Sequence, residues 1–313
     1  MTRLTIVLRT LCLVSVLLAA IPGQAAEQAT FASAEDAAKA LVTVLRGGDP
    51  AQIQAVLGPG SEKLISSGDK YADAEARRKF VEAYQASHKL TEAEPGRMVL
   101  DVGADDWPLP IPIVQANGKW RFDSVAGAQE LVNRRIGQNE LSAIRTCLAY
   151  AEAQAGYRVL SGAANGGNWQ YAQKLISTKG RRDGLYWPAS VDSADASPLA
   201  AVIADAQQAG YPVDFSSGKR MPYHGYFFRI LKAQGPNAPG GAKSYMVNGR
   251  MTQGYGLIAW PASYGVSGVM TFIVNQDSTV YQKDLGPDTA KIAGAIMQFD
   301  PDISWARVDI VNQ

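Results

Sequence analysis

The side chains best suited to binding chemistry lie in one loop-forming stretch, KGRRDGLYWPAS, at residues 179–190. Arginine forks bind carboxylates and phosphates, and large amphipathic rings are enriched at contact hot spots and sugar sites. The stretch therefore predicts a binding loop. Its candidate binding residues are Arg181, Arg182, Asp183, Tyr186 and Trp187. The alternative is that the two aromatic rings anchor the loop on the core while Asp183 pairs locally with an arginine.

A further candidate binding residue is His224, which stands between Tyr223 and Tyr226 at the start of a predicted strand. A metal site would need His, Cys or Asp partners at ligand spacing, and the local segment holds none. The alternative is a hydrogen-bonded structural histidine. The second histidine, His88, ends a predicted helix among polar residues, which favours a solvated helix end over a catalytic base.

The sequence carries no signature of a known catalytic site. It has no G-x-S-x-G, no P-loop and no dinucleotide-binding pattern, and it contains only two histidines. Acidic and amide side chains at residues 275–288 could offer oxygens to calcium, but without a D-x-D-x-D-G loop an Asx-rich turn is predicted. Paired glycosidase carboxylates meet only in space, so the sequence leaves them open. We therefore predict no catalytic residue, no metal and no cofactor.

One of the two cysteines, Cys147, lies beyond the N-terminal segment. It stands beside Ile144 and Leu148 on a predicted helix, which is typical of an inert packed thiol. A nucleophilic cysteine would need a partly exposed site that lowers its pKa, and nothing nearby in the sequence supplies a base. An internal disulfide is not expected, so stability must come from a packed core.

The first elements that must position these candidates are helices. Helical periodicity and caps predict helices at 33–47, 50–57 and 73–88, with Ser33 and Asp73 as N-caps. Period-two patterns then predict a curved antiparallel sheet. Its strands are expected at 97–102, 107–114 and 119–125.

Turn residues define the pairing within that sheet. Asn117 and Gly118 tolerate positive φ at both central positions of a tight turn, so they predict a hairpin. Pro108, Pro110 and Pro112 alternate along the preceding strand, and their missing N–H groups would all fall on one side of it. That strand is therefore expected at an edge of the sheet.

Helices followed by a curved meander, together with the hairpin PIVQANGKWRFD, resemble the cone-shaped domains of nuclear transport factor 2 and its relatives over roughly residues 30–125. The resemblance implies a sheet wrapped around a pocket. An open cavity with converging polar side chains would favour a ligand-binding domain. A cone filled by Phe80, Tyr84 and Trp107 would favour a scaffold.

The second half of the chain follows a different order. A long helix is predicted at 128–160 with an apolar stripe that begins at Leu141, followed by loop-rich residues 161–219 with short helices at 168–176 and 198–208. Antiparallel strands are predicted at 223–234, 253–262, 269–274 and 278–283. A helix before GYFFRI, YGLIAWP and GVMTFIVNQDSTVYQKDLG resembles the globular part of type IV pilins and pseudopilins.

The fold class predicted for the whole chain is therefore α+β, with N-terminal helices and a curved antiparallel sheet before a long helix packed on a C-terminal antiparallel sheet. The stretches IPIVQANGKWRFD, RRIGQNEL, RRDGLYWPAS and SGVMTFIVNQDSTVYQKDLG are similar to those of the bacterial exported family called domain of unknown function 2950. That resemblance implies no activity, cofactor or catalytic residue.

The N-terminal segment indicates export. Arg3 and Arg9 precede an apolar run that ends near Ile21, and small residues follow, so residues 1–26 are predicted to be a signal peptide cleaved near Ala25 or Ala26. The apolar run is about half the roughly 20 residues a spanning helix needs. We expect a periplasmic or secreted protein with no integral membrane segment in the mature chain.

Domain division and charge complete the expectations. We predict a cone-like domain at 27–127 and a pilin-like domain at 128–313, the latter carrying the insertion at 161–219. With 30 basic and 29 acidic residues, the net charge of +1 argues against nucleic acid as a partner. The function expected is a non-catalytic envelope binding or scaffold module, with an envelope protein or a glycan as partner. The alternative is a small-ligand-binding or weakly enzymatic cone domain.

Overall fold

The computed structural model describes residues 28–189, 196–213 and 221–309, which fold into helices and antiparallel sheets. The predicted α+β class is confirmed. The predicted signal peptide lies outside the described residues. In the part of the chain that is described, no helix is both long enough and apolar enough to cross a membrane.

Four helices open the fold, and two of them match their predictions. They are α1 (Ala34–Gly47), α2 (Pro50–Leu57), α3 (Glu62–Ile65) and α4 (Lys70–Ala86). Ser33 caps α1 as predicted, because its side chain accepts a hydrogen bond from the Asp36 N–H at 3.0 Å. The backbone N–H groups of a first turn lack partners within the helix, so such a cap stabilises it.

The start of α4 was predicted three residues too late. Asp69, and not Asp73, is the N-cap, and its Oδ1 accepts hydrogen bonds from the N–H groups of Tyr71 and Ala72. The end of this helix was also wrong: it stops at Ala86, and residue 88 begins a strand instead of ending a helix.

The first sheet holds five strands in the order β1-β2-β4-β5, with β3 also paired to β2. These strands are β1 (His88–Glu94), β2 (Arg97–Val102), β3 (Trp107–Pro108), β4 (Ile113–Ala116) and β5 (Lys119–Phe122). The hairpin at Asn117 and Gly118 is confirmed, with φ values of 51° and 75°.

The prolines were expected to mark an edge of this sheet, and among the described residues this holds for Pro108, whose strand β3 pairs with β2 on one side. The predicted strand 107–114 is split in two, and Pro110 and Pro112 fall in the irregular stretch between β3 and β4. The prolines there remove no ladder hydrogen bond, so β4 can lie between β2 and β5. The outer strands of the four-strand path are β1 and β5, and the short β3 has β2 as its partner.

Helix α5 (Ser124–Ala164) contains 41 residues and is therefore about 60 Å long. It crosses the predicted domain boundary at residues 127 and 128 without a break, and Gly137 does not interrupt it. In its first turns Leu131 packs against the first core, and its later turns pack on the second sheet.

The predicted apolar stripe of α5 is confirmed in part: Ala151 is buried and Ile144 packs against the core, but the first member, Leu141, is 56% exposed. The buried line of α5 also includes polar side chains that have specific partners. Its members are Asn139, Ala143, Cys147, Tyr150, Gln154, Tyr157 and Ser161. Gln154, for example, exchanges hydrogen bonds of 2.8 Å with the backbone of Ala172. A search for apolar spacing alone passes over such residues.

We call the helices α1 to α4, the first sheet and the first turns of α5 the first unit, and the later turns of α5 with the residues after it the second unit. The second unit places a five-stranded antiparallel sheet against α5, in the order β14-β13-β12-β11-β6. Its strands are β6 (Tyr226–Leu231), β11 (Gly256–Pro261), β12 (Met270–Asn275), β13 (Val280–Asp284) and β14 (Ala306–Arg307). Two short ladders accompany it: β7 (Ala233–Gln234) with β8 (Lys243–Ser244), and β9 (Met246–Val247) with β10 (Arg250–Met251).

Helices α6 (Ala200–Gln208) and α7 (Thr289–Ala295) complete the second unit. The helix predicted at 168–176 is absent, and this segment instead forms isolated bridges to Met251 and Tyr186. Side chains alternate across β12: Phe272 belongs to the core beneath α5, and Ile273 belongs to a smaller core on the opposite face.

Two glycines of α5 lead to opposite predictions for the same substitution. A Cβ added at Gly127 would lie 2.1 Å from the Pro110 carbonyl oxygen, whereas one at Gly137 would meet nothing within 4 Å. We expect Gly127→Ala to lower the free energy of unfolding by about 1–3 kcal/mol through overpacking. Gly137→Ala should raise it by about 0.5–1 kcal/mol, because alanine favours the helix.

Urea titration of both variants beside the parent chain measures the difference. Equal stability of the two variants would contradict the close approach of α5 to the segment between β3 and β4.

Candidate functional site

A cavity of about 470 Å³ opens in the first unit. Its walls come from α1 to α4, from the segment at residues 102–111 and from the first half of α5, and most of the wall is apolar. Representative lining side chains are Leu41, Ile53, Leu64, Phe80, Trp107 and Leu131. Phe80 and Trp107 thus lie in the wall of the cone and do not fill it. Tyr84 is buried beside the cavity, where its ring stacks on His88 at 3.7 Å.

Four cationic side chains also line this cavity: Arg77, Lys79, Arg134 and Arg135. Two of them have carboxylate partners. The Nζ of Lys79 lies 3.4 Å from Glu75, and the Nε of Arg134 lies 2.8 Å from Glu130. The Arg134 guanidinium also stands 5.3 Å from the centre of the Trp107 ring. A positive charge is therefore fixed beside an apolar wall.

Arg77 differs from the other three cations. It is partly buried on α4 and makes no hydrogen bond or ion pair with any of the described residues. Its neighbour Arg78 points away and pairs with Glu75 and Glu82 at 2.6 Å and 2.5 Å. An uncompensated guanidinium in a partly buried wall is a strong binding group for an anion, since it can donate two parallel hydrogen bonds.

Arg135 adds a second cation with unfilled capacity. Its guanidinium donates to the carbonyl oxygens of Lys63 and Leu64 at 2.8 Å and 3.1 Å. Burial lowers the pKa of Arg135, while the charge of nearby Asp73 acts in the opposite direction. Carbonyl oxygens satisfy some donors but leave the charge uncompensated, so an anion in the cavity would stabilise it.

The negative counterpart in the wall is small. Asp73 is the one carboxylate among the described lining residues, and it is buried. One of its oxygens accepts a hydrogen bond from the Ser67 N–H at 3.0 Å. Because Glu75 and Glu130 pair with two of the four cations, the two remaining arginines against Asp73 leave the cavity with a net positive charge, although the chain as a whole is nearly neutral.

His224 lies in a separate cluster on the loop before β6. Its φ is 46°, and its Nε2 is 3.3 Å from Asp205, whose carboxylate also accepts a hydrogen bond from the Tyr223 hydroxyl at 2.5 Å. These two bonds, that of Tyr223 first, lower the pKa of Asp205. The His224 N–H donates to the Tyr211 hydroxyl at 3.0 Å. His224 is therefore hydrogen-bonded through both its ring and its backbone.

The same cluster contains a buried carboxylate that is not among the predicted site residues. Asp69 is fully buried, and its Oδ2 accepts hydrogen bonds from the Tyr211 hydroxyl at 2.7 Å and the Gly225 N–H at 2.8 Å. Because its Oδ1 caps α4, this one side chain joins the wall of the first cavity to the second unit. The stretch DKYAD offers two aspartates as caps, so the sequence alone does not single out Asp69.

The predicted binding loop brings its five candidates together in part. Trp187 is buried with its ring 5.4 Å from the Arg182 guanidinium, and its indole N–H has no hydrogen-bond partner among the described residues. Tyr186 is half-buried, and Arg181 and Arg182 are exposed. Asp183 pairs with Lys174 at 2.8 Å instead of with an arginine. A binding role for this loop remains a prediction.

The other candidates occupy ordinary structural positions. The Asp277 N–H donates to the Asn275 side chain at 3.2 Å, which forms the predicted Asx turn. No group of three metal-binding side chains occurs within the described ranges. Cys147 is fully buried, and burial raises the pKa of its thiol to about 12.

These features define an α+β protein with a positively charged apolar cavity in its first unit. The chain belongs to the family described as Protein of unknown function (DUF2950), whose family model matches residues 28–308. The family predicted from the sequence is thus confirmed. No curated protein and no solved structure was found to match the chain. The resemblances to nuclear transport factor 2 and to pilins therefore stay predictions.

The Asp183 contacts generate a prediction about pH. Burial alone would raise the pKa of Asp183, but hydrogen bonds from Lys174 and Thr178 outweigh it and lower the pKa to about 2. Because the folded-state pKa lies below the unfolded value of about 3.9, the carboxylate stabilises the fold above about pH 4. That contribution is lost as the pH falls from about 5 to 2.

We expect Asp183→Asn to lower the free energy of unfolding at pH 7 by about 1 kcal/mol, a value discounted because the side chain is 35% exposed. The difference should vanish near pH 2. Chemical denaturation at several pH values measures it, with Asp105→Asn on an exposed turn as the charge control. A deficit that persists unchanged at pH 2 would rule out the carboxylate as its cause.

Proposed function

We propose that this protein is an exported binding protein whose first unit holds a small amphipathic anion, with an apolar body and a carboxylate or similar head. The observation that carries the proposal is the 470 Å³ apolar cavity with the unpaired Arg77 in its wall. That volume falls within the usual range of ligand pockets.

The two parts of such a ligand would be stabilised by different walls. An alkyl body would be removed from water by Leu41, Ile53 and Leu64, and each buried methylene contributes about 0.8 kcal/mol. The head group would approach Arg77 and Arg135, whose guanidinium groups can donate hydrogen bonds to a carboxylate. A neutral apolar molecule would satisfy only the first set of contacts.

The open cone supports ligand binding over a purely structural role. A scaffold module was expected to fill its cone with Phe80, Tyr84 and Trp107. Phe80 and Trp107 instead border an empty volume. A weakly enzymatic cone domain was the other alternative, and the cavity does not support it. The described lining residues include no histidine, cysteine or second carboxylate that could transfer a proton or attack a substrate.

Export is the second part of the proposal, and it rests on the sequence of residues 1–26. The cationic start, the short apolar run and the small-residue exit are typical of a secretory signal peptide. We expect the mature chain to begin near residue 26 or 27 in the periplasm or the medium. Mass spectrometry of the protein recovered from each cell fraction tests this, and an intact N-terminus on the accumulated protein would contradict it.

Ligand binding is tested with dodecanoate and its neutral counterpart dodecanol, using the fluorescence of Trp107 and calorimetric titration. We expect the purified mature protein to bind dodecanoate about tenfold or more tightly than dodecanol, since a charge-assisted hydrogen bond contributes about 1.5–3 kcal/mol. Arg77→Gln should remove most of this preference while leaving dodecanol affinity unchanged.

Arg78→Gln is the matched control, because it changes the same charge at the next position of α4 but on a side chain that points away from the cavity. It should bind both compounds like the parent chain. Ala76→Trp, at the exposed part of the cavity wall, should weaken both compounds together. If dodecanoate fails to bind, or if Arg78→Gln weakens it as much as Arg77→Gln does, the proposed cavity function is wrong.

A further inference from the structure

A second concave surface lies on the other unit, beside the last turns of α5. It is a shallow depression of about 620 Å³. Its chemistry differs from that of the cone, because aromatic rings and polar groups share its lining. The side chains that matter to the argument are Arg158, Trp169, Tyr171, Tyr255 and Gln276, which we call the aromatic platform.

The rings of the platform form a continuous wall. Trp169 meets Tyr171 edge to face at a centroid distance of 5.6 Å, and Tyr171 meets Tyr255 in the same manner at 4.9 Å. Tyr255 is buried and its hydroxyl donates to the Ala151 carbonyl oxygen at 3.0 Å, so it forms the back of the wall. Trp169 and Tyr171 are half-buried and present ring surface to solvent.

The polar groups of the platform have unused capacity. Within the described part of the chain, the Tyr171 hydroxyl and the Trp169 indole N–H make no hydrogen bond. The Arg158 guanidinium has no ion pair there and stands 4.1 Å from the centre of the Trp169 ring. Gln276 uses only its side-chain oxygen, in a long 3.4 Å contact with the Tyr255 N–H, which leaves its amide donors.

The backbone beneath the platform is fixed before any ligand arrives. Arg250 donates to the carbonyl oxygens of Asn168 and Trp169, both at 2.7 Å. The Ser161 hydroxyl accepts from the Gln170 N–H and donates to the carbonyl oxygen of the same residue. A site held in this way loses little conformational entropy on binding.

We propose that the aromatic platform binds an acidic saccharide. A sugar ring has apolar C–H faces that can lie against aromatic rings and hydroxyl groups at its edge that need donors and acceptors, which Tyr171, Gln276 and Trp169 offer. The unpaired Arg158 selects a ring that carries a carboxylate, because the guanidinium fork binds carboxylates in two parallel hydrogen bonds.

This site is independent of the cavity in the first unit. It also lies apart from the 179–190 loop, where a glycan contact was expected at Tyr186 and Trp187. Trp187 is buried, and its ring faces Arg182 and Tyr157 within the fold. The platform, in contrast, places two half-buried rings beside Arg158.

The test uses tri-galacturonic acid, its fully methyl-esterified form and acetate, titrated into the full mature chain. The two trisaccharides share a skeleton and differ in charge. We expect the acid to bind about tenfold more tightly than the ester and acetate not to compete at equal concentration. Arg158→Gln, on an exposed helix position, should bring the two trisaccharides to the same affinity.

Trp169→Ala should weaken both trisaccharides about tenfold, and Tyr171→Phe, which keeps the ring, should weaken both by a smaller factor. Trp305→Ala is the matched control, because that half-buried tryptophan also has a cation, Lys283, over its ring at 5.9 Å. Thermal unfolding of each variant shows whether it folds. Should Trp169→Ala fail to fold, Arg158→Gln and Tyr171→Phe decide the question.

Three outcomes would overturn the proposal. The first is that neither trisaccharide binds the parent chain. The second is that acetate displaces tri-galacturonic acid at equal concentration, and the third is that Arg158→Gln keeps the full preference for the acid. Each leaves dodecanoate binding in the cone untouched, so failure here is distinct from failure of the proposed cavity function.

Discussion

The continuity of α5 is the constraint on which the rest of the structure depends. A single helix of 41 residues supplies Leu131, Arg134 and Arg135 to the cone and Arg158 to the aromatic platform. Between them it supplies its buried line from Asn139 to Ser161, which we call the seam, to the second unit. Every turn fixes the rotational phase of the next, at about 3.6 residues per turn. A kink would therefore move the seam and the platform together relative to the cone.

The seam begins with polar contacts, at the point where α5 passes from the first core to the second sheet. Glu140 accepts hydrogen bonds from the Val269 and Met270 N–H groups, both at 2.9 Å, and Asn139 donates to the Ser267 carbonyl oxygen at 2.8 Å. These bonds satisfy backbone groups beside β12 that would otherwise lose water when the units pack. Asp69, at the start of α4, likewise accepts a hydrogen bond from a backbone group of the second unit, the Gly225 N–H. Hydrogen bonds are directional, so these polar contacts define one placement of α5 relative to the second sheet. Apolar contacts alone would define that placement less sharply.

A structural feature could be predicted from the sequence when the residues that determine it lie close together in the chain. The cap at Ser33, the Asn117 and Gly118 turn and the strand over residues 97–102 depend on a few neighbouring residues, and all three are confirmed. The cap of α4 was misplaced and the polar members of the buried face of α5 were missed, because Asp69 and Asn139 are selected by partners 128 residues or more away in sequence. The cavity was expected only by resemblance, and the aromatic platform joins residues from three distant segments.

Because the cone and the aromatic platform lie far apart along α5, we expect ligand binding at one to leave the binding free energy at the other unchanged. Arg134 and Arg158 are separated by 24 residues (158 less 134) of one helix, or about 36 Å at 1.5 Å per residue. At physiological ionic strength charges are screened over about 8 Å, so the cations of the cone cannot contribute to anion binding at the platform. Substitutions this far apart with no shared partner usually have additive effects. If a change at Arg77 altered saccharide affinity, the coupling would have to pass through the seam of α5 and the Asp69 junction, because direct electrostatics cannot span that distance.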